Sequence, residues 1–560
     1  MALALLFAGK GFAQTAAPAP TDLQRQSAPA LELASPTPSQ PSHLPLATPA
    51  AQPPATAQQL SSAPRFILRD IRLEGNTVLD EPSIRETVAR YIGQRVTTAD
   101  LDDIRRQLTL LYVNHGYINS GVLIPDQNVA NGIVTFRAVE GRVTGMDISG
   151  TQHFNPGYFM DRLSRGLSNP FNVADLEREQ KILLQDPLIS RLNIDVRPSP
   201  VLGEARAHVD VQETSPYSVV AQIANSQSPT VGEVRGQLQG TVANLWGVGD
   251  ILSAQYGRTQ GINDGSIGYS LPLASDDTRL NLRYDINGTL VVTPALSPIH
   301  ITSTYNSLAV GLSRPFYRTP EQNLTFGTGL EWRQAQTFLL NQPFSFTAGS
   351  SNGNTNVTVW RAYEDWLDRD AEHAFALRTT LSVGLHALGA TVTNTPPTGK
   401  FVAALFQGQY VKRVYKDWEA VARASLQASN KALFPIEQFA LGGIDTVRGY
   451  RQFLTVTDDA FFGSGELRIP IFNIRVPHLT ETDQDGAVQF VPFYDYGQGW
   501  NVGRATPYPP DISGVGAGLR WLVGSGITAE IYYAKALRHV RVGTSLEDRG
   551  IYFRLTAKAF

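Results

Sequence analysis

Apolar and polar residues alternate with period two from Ser215 to the C-terminus, and Gly, Asn, Asp and Pro break the alternation at short intervals. Val515, Ala517, Leu519, Trp521 and Val523 fall on one side and Gly516, Gly518 and Arg520 on the other. Ile527, Ala529, Ile531 and Tyr533 likewise oppose Thr528, Glu530 and Tyr532. Period two marks a strand, because successive side chains leave opposite faces. Here one face is apolar and aromatic while the other carries glycine and charge, which suits a strand standing between lipid and a polar lumen. At about 20 residues per strand and turn, this segment holds roughly 16 to 18 strands. The pattern predicts an all-β transmembrane barrel of about 16 antiparallel strands, since only a closed sheet leaves no edge unpaired in lipid.

Residues 65–214 follow a different rhythm. Phe66 to Leu73 alternates and stops at Glu74-Gly75-Asn76, a strand and its turn. Asp80 is placed to cap a helix carrying Ile84, Val88 and Tyr91. After Thr98, the steps of three and four linking Leu101, Ile104, Leu108, Leu111 and Tyr112 predict a second helix, ended by Gly116. Strands follow at Val122–Ile124 and Ile133–Val139. The same β-α-α-β-β order then recurs in strand Val143–Ile148, a short helix Tyr158–Leu163, a helix capped by Asn172, and strands Leu192–Val196 and Ala205–Val211. An order repeated in tandem marks two copies of one small α+β domain, spanning 65–142 and 143–214. The barrel then occupies 215–560.

The N-terminus supplies an address. Met1–Ala13 is an apolar run ending in Gly11-Phe12-Ala13, a small-x-small pattern that predicts a signal peptide over 1–13 and export to the periplasm. No Lys or Arg precedes Leu3, which leaves a translation start upstream of Met1 open. Residues 14–64 are dominated by Ala, Pro, Gln and Ser, a composition that cannot repay the entropy of ordering and predicts an extended linker. Beyond this terminus there is no apolar run of about 18 residues, so no membrane-spanning helix is expected.

Composition narrows the function classes. A net charge of −3 gives no field to gather nucleic acid, so no nucleic-acid partner is expected. The absence of cysteine excludes disulfides, thiol catalysis and Cys-ligated metal. Beside only 17% charged residues, 20 Tyr, 25 Phe, 7 Trp and 48 Gly fit a lipid-facing β structure.

Two stretches of the barrel segment carry specific chemistry. Glu437-Gln438-Phe439-Ala440-Leu441-Gly442-Gly443 precedes Val447-Arg448-Gly449-Tyr450. A loop held inside a lumen needs a side chain able to make several directed, charge-assisted bonds; a guanidinium does this, and Gly449 permits a tight turn beside it. Its partner should be a carboxylate on the inner wall. In Phe493-Tyr494-Asp495-Tyr496-Gly497, alternation puts Phe493, Asp495 and Gly497 on one face, and the tyrosines suit the lipid side, so Asp495 points inward. In the preceding strand, expected over Gly463–Ile469, Glu466 shares a face with Ser464 and Arg468 and is a second inward carboxylate.

With these stretches, the chain resembles the ShlB/FhaC/HecB family of two-partner secretion transporters, also called TpsB proteins, over about residues 65–560. The resemblance identifies the repeated units as two POTRA (polypeptide-transport-associated) domains. It makes Val447–Tyr450 the tip of a sixth extracellular loop folded back into the barrel, and Phe493, Asp495 and Gly497 the inner-wall motif, with Glu466 at the acidic position of the adjacent strand. Asn244-Leu245-Trp246-Gly247 and Arg314-Pro315-Phe316-Tyr317-Arg318 resemble hairpins of the family and read as periplasmic turns. A plug helix has its candidate in Asp22–Leu33, interrupted by Pro29, and Phe560 fits an outer-membrane assembly signal.

The family implies an outer-membrane protein of a Gram-negative bacterium with its POTRA domains in the periplasm. Its implied partner is one secreted TpsA-type exoprotein, haemolysin- or adhesin-like, captured through the POTRA domains by strand addition. A monomeric barrel surrounded by outer-membrane lipid is expected. An insertase that folds other barrels is the alternative, and the count of two POTRA units together with the loop motif argues against it. No enzyme and no cofactor are expected, because HExxH, GxxxxGK[ST], GxSxG and a GxGxxG after a strand are all missing. Glu364, Asp365, Asp368, Asp370 and Glu372 with His373 read as solvated charges at a strand end or turn.

Overall fold

The computed structural model describes residues 66–559 except 130, 478, 481–484, 525, 541 and 542. The signal, linker and plug candidates and Phe560 lie outside the described residues. An N-terminal unit ends at Thr214, and a second unit begins at Ser215.

The N-terminal unit holds β1 (Phe66–Ile67), β2 (Asp70–Glu74), α1 (Glu81–Val88), β3 (Arg95–Val96), α2 (Thr98–Asn114), β4 (Gly121–Leu123) and β5 (Ile133–Val139). It continues with β6 (Arg142–Ser149), α3 (Pro156–Leu163), α4 (Val173–Leu183), β7 (Ile189–Pro198) and β8 (Glu204–Glu213). The sheets β2-β5-β4 and β6-β8-β7 share one plan: the last strand lies in the middle, parallel to the first and antiparallel to the second. The two sheets with their helices thus repeat one small α+β plan in tandem.

Local chemistry explains the helix starts. The Asp80 carboxylate accepts from Ser83 N–H, and Thr97 and Asp100 close a reciprocal capping box on α2. Asn155 and Asn172 cap α3 and α4. Each pair of helices buries one stripe on its sheet: Ile84, Ile104 and Leu108 against Val134 and Phe136, and Phe159, Leu163 and Leu176 against Ile194 and Val209. The single strand expected over Phe66–Leu73 is divided. Leu68 turns into the core, so β1 pairs with β3 and β2 pairs with β5.

Sixteen antiparallel strands close the second unit into a barrel, with a short Gln342–Pro343 segment added to the strand Gln322–Leu339. Closure is made by the first strand, Tyr217–Asn225, and the last, Ile551–Ala559, in a register running from Ala224↔Arg554 to Val219↔Ala559. Along Thr302–Arg318, Leu308, Val310 and Leu312 are exposed outward while Ser307 is buried inward. Arg314–Arg318, read as a periplasmic turn from its resemblance to a family hairpin, is instead the end of that strand. Pairing continues past Pro315 through a bulge before Tyr317, which accommodates the missing N–H, and the turn comes after Arg318. Exposed Phe316, Tyr317 and Tyr415 stand at the ends of the strands Thr302–Arg318 and Val402–Tyr415, where aromatic side chains suit a lipid interface.

Candidate functional site

Residues 430–458 form the sixth loop at the barrel end opposite to chain entry, between the strands Trp418–Ser429 and Asp459–Asn473. The loop contains its own ribbon, Phe439–Leu441 paired with Thr455–Thr457, and folds inward. Its apolar side chains Phe439, Leu441, Val447 and Tyr450 pack on Ala460, Phe462 and Ile512 of the inner wall. Burial of these groups gives the loop a fixed seat.

Arg448 occupies that seat and is 1% exposed; Asp495, 0% exposed, lies on the strand Ala487–Trp500. The guanidinium binds the carboxylate in a fork, Nε to Oδ2 at 2.7 Å and Nη2 to Oδ1 at 2.8 Å, and the Arg448 backbone N–H adds a third bond to Oδ2 at 3.1 Å. Glu466 also contacts Nη2, at 2.9 Å, and takes a second bond from Arg423 at 3.1 Å. Ser464 donates to Asp495 Oδ1 at 2.6 Å. The plane of the guanidinium stacks on Phe493 at 3.4 Å from the ring centroid, with Tyr532 at 5.0 Å. Arg448, Asp495, Glu466 and Phe493 thus converge on one point. Lysine could supply the charge there but neither the fork nor the stack.

The neighbouring motif residues shape the seat. Gly497 leaves room for the loop: a Cβ there would stand 2.8 Å from Val447 Cγ2 and 3.0 Å from Leu441 Cδ2. Gly449 has φ +101°, a conformation that side-chain-bearing residues avoid, and its N–H donates to the Tyr552 hydroxyl at 2.8 Å. The Tyr450 hydroxyl donates to Ser513 O at 2.9 Å and accepts from Arg538 N–H at 3.0 Å.

Tyr552, Tyr532, Ser464 and Arg423 were not singled out from the sequence. Inward parity on their strands was the available signal, but which inward groups meet is set by barrel stagger across distant strands. In the acidic cluster, Glu364, Asp365 and Asp368 sit on the strand Asn354–Arg369. Asp365 pairs with Arg378 at 2.7 Å and Asp370 with His373 at 2.8 Å. No cluster able to hold a metal ion is present among the described residues.

In the N-terminal unit, Glu213 at the end of β8 organises the segment between β6 and α3. Its carboxylate accepts from the N–H groups of Gln152 (2.8 Å), His153 (2.8 Å) and Phe154 (3.1 Å). Burial alone would raise this carboxyl, but the three backbone donors overcome it and hold it below its ordinary value.

A family model described as haemolysin secretion/activation protein ShlB/FhaC/HecB matches residues 203–521, and one for a ShlB-type POTRA domain matches 66–141. Among curated relatives, the outer membrane transporter CdiB of Dickeya dadantii is 22% identical over 491 residues, covering 84% of each chain. The heme/hemopexin transporter protein HuxB of Haemophilus influenzae is 21% identical over 513 residues, 87% of this chain and 86% of that one. Among solved structures, CdiB from Escherichia coli superposes with a TM-score of 0.64 at 18% identity, covering 96% of this chain and 95% of that one. BamA from Haemophilus ducreyi, at 12% identity and a TM-score of 0.53, covers 88% of this chain and shares the fold more distantly.

Proposed function

The chain belongs to the haemolysin secretion/activation family ShlB/FhaC/HecB and is an outer-membrane two-partner secretion transporter with periplasmic POTRA domains, and on that footing we propose how its parts divide the work. Residues 65–142 and 143–214 form the POTRA pair that captures the exported partner, and 215–560 conducts it. Residues 1–13 direct export of the transporter itself, and 14–64 link that signal to the first POTRA domain. Capture proceeds by strand addition to an outer strand of a POTRA sheet, a mode that reads backbone more than side chains. The ten-residue β7 is the longest outer strand available. The cargo is a haemolysin- or adhesin-like exoprotein.

The observation that carries this reading is the inward-folded sixth loop, whose tip Arg448 pins to the inner wall of the barrel. Val447, Arg448, Gly449 and Tyr450 fix the loop tip, and Asp495, Glu466, Phe493 and Gly497 are its wall partners. The barrel works as a monomer in outer-membrane lipid and catalyses no reaction. The periplasm supplies no nucleotide, so folding of the emerging cargo outside the cell drives transport.

Deletion of Val143–Glu213 tests the division of labour. The shortened protein should keep a folded, ion-conducting barrel in planar bilayers while export of the co-expressed partner is abolished. Undiminished export would remove the capture role from the second POTRA domain.

A further inference from the structure

The base of the sixth loop is held at a second place. Glu437 accepts from Arg361 Nη2 through both carboxylate oxygens, at 2.9 and 2.8 Å, and from Arg333 Nη1 at 2.9 Å. Glu331 binds the same two arginines, Arg333 at 3.0 Å and Arg361 at 2.9 Å. The four charges cancel, which removes the cost of a net charge inside the barrel. Glu331 and Arg333 stand on Gln322–Leu339 and Arg361 on Asn354–Arg369. The strands His373–Leu385, Val402–Tyr415 and Trp418–Ser429 lie between this sector and the one holding Arg448. The loop is therefore pinned to two separate sectors of the wall.

The two pins differ in their surroundings. Arg448 is sealed by aromatic rings and holds Asp495 through a fork and a backbone bond. Glu437, Arg333, Arg361 and Glu331 instead border a cavity of about 360 Å³ between the loop base and the inner wall. Arg333, at 1% exposed, is as buried as Arg448, but Arg361 at 16% is more open, and the cavity gives an entering polypeptide room to approach the cluster from the Arg361 side. Glu331 stays on both guanidiniums when Glu437 leaves, and the polypeptide's carbonyls and carboxylates can take the vacated place from the cavity, whereas the Phe493 and Tyr532 rings cover the Arg448 guanidinium.

We propose that Glu437 with Arg333 and Arg361 is the releasable latch of the sixth loop, and that cargo passes on this side of the lumen while Arg448 stays docked. The inference rests on the transporter reading. It assigns Glu437 a positioning role: it holds the loop across the pore until cargo takes its place.

The absence of native cysteine allows a clean test. Glu437→Gln should raise baseline conductance in planar bilayers by about tenfold or more, because loss of one buried charge partner shifts the closed–open balance strongly. An Ile436→Cys/Val359→Cys variant, which leaves the latch residues intact at a place where loop base and wall pack together, should stop exporting the partner when joined by a short thiol-reactive crosslinker and should export it without the crosslinker. A barrel that keeps its heat-modifiable mobility on gels shows that these effects are not misfolding. Wild-type conductance in a folded Glu437→Gln protein, or export by the crosslinked variant, overturns the latch. Loss of the folded barrel in both variants also overturns it, by making the cluster a structural brace. If the wild-type chain exports no partner in the same assay, the transporter reading itself falls, which is a separate failure.

Discussion

The Tyr552 hydroxyl donates to the Tyr450 carbonyl at 2.8 Å while accepting the Gly449 N–H at 2.8 Å, so one side chain on the final barrel strand satisfies both backbone groups at the tip of the sixth loop. Tyr552 is fully buried, and water is not at hand to replace it. Tyr552→Phe keeps the ring and removes the only atom that bonds the tip. Leaving two buried backbone groups unpaired should cost about 1–3 kcal/mol of loop docking. The expected result is a barrel of normal mobility with a lower temperature of heat modification and reduced export. An unchanged melting profile would show that the tip does not depend on this bond.

Arg448 and Asp495 form the most enclosed ion pair of the site, and each is the main counter-charge of the other. Removing one member of a buried pair costs about 3–5 kcal/mol, mostly because the remaining charge is stranded. Arg448→Ala and Asp495→Ala should each cut export sharply. Glu466→Ala should be milder, since Asp495 retains its fork on Arg448 while Glu466 is shared with Arg423. Arg448→Lys should behave like the alanine variant, because an ammonium cannot make the fork or lie flat on Phe493. In a double-mutant cycle on export, the Arg448→Ala/Asp495→Ala protein should be little worse than either single variant; strictly additive losses would count against the coupling.

Much of this architecture is legible along the chain, because period-two and helical spacing are local signals. The inward facing of Phe493, Asp495 and Gly497 follows from the tyrosines between them, and one helix start in each POTRA domain follows from its cap, Asp80 in the first and Asn172 in the second. What is not legible depends on distance across the sheet. Glu437 meets Arg333 and Arg361 only after barrel closure sets the stagger of strands far apart in sequence. The extra strand length at Arg314–Arg318 is hidden because a resemblance to a family hairpin does not report how far pairing runs, and only the bulge shows that it goes on. The division at Leu68 was hidden for a similar reason: period-two alternation cannot report which sheet each half of a run joins.

Gly514 gives a steric test of the docked tip. A Cβ on this wall residue would stand 1.9 Å from the Arg448 carbonyl oxygen, a backbone atom that cannot swing aside as a side chain can. Gly514→Ala should therefore push the loop tip off its seat, at a cost of about 1–3 kcal/mol for overpacking. Export should fall although no motif residue is changed. Gly465 is the control, since nothing lies within 4 Å of a Cβ built there, and Gly465→Ala should be silent. Equal export by the two variants would mean that the tip does not occupy this seat when the transporter works.

The N-terminal unit should show an acid transition that belongs to Glu213. Three backbone N–H donors hold its carboxyl below the ordinary value, and an unfolded glutamate titrates near pH 4.3. A group depressed in the folded state contributes stability that is fully present above the unfolded value and is lost as pH falls through the folded one. The segment linking β6 to α3 should thus be secure at neutral pH and loosen progressively below about pH 5, as protonation weakens three acceptor bonds together. Limited proteolysis of the detergent-solubilised protein between pH 7 and pH 3.5, mapped to residues 150–156, would follow the loosening. Glu213→Gln cannot titrate and keeps only a neutral acceptor, so it should be cut faster than wild type at pH 7, by an amount equivalent to about 1–2 kcal/mol. Its cleavage should also change less with pH, and the two proteins should converge at the acid end. Parallel pH profiles for wild type and variant would assign the acid transition to some other group.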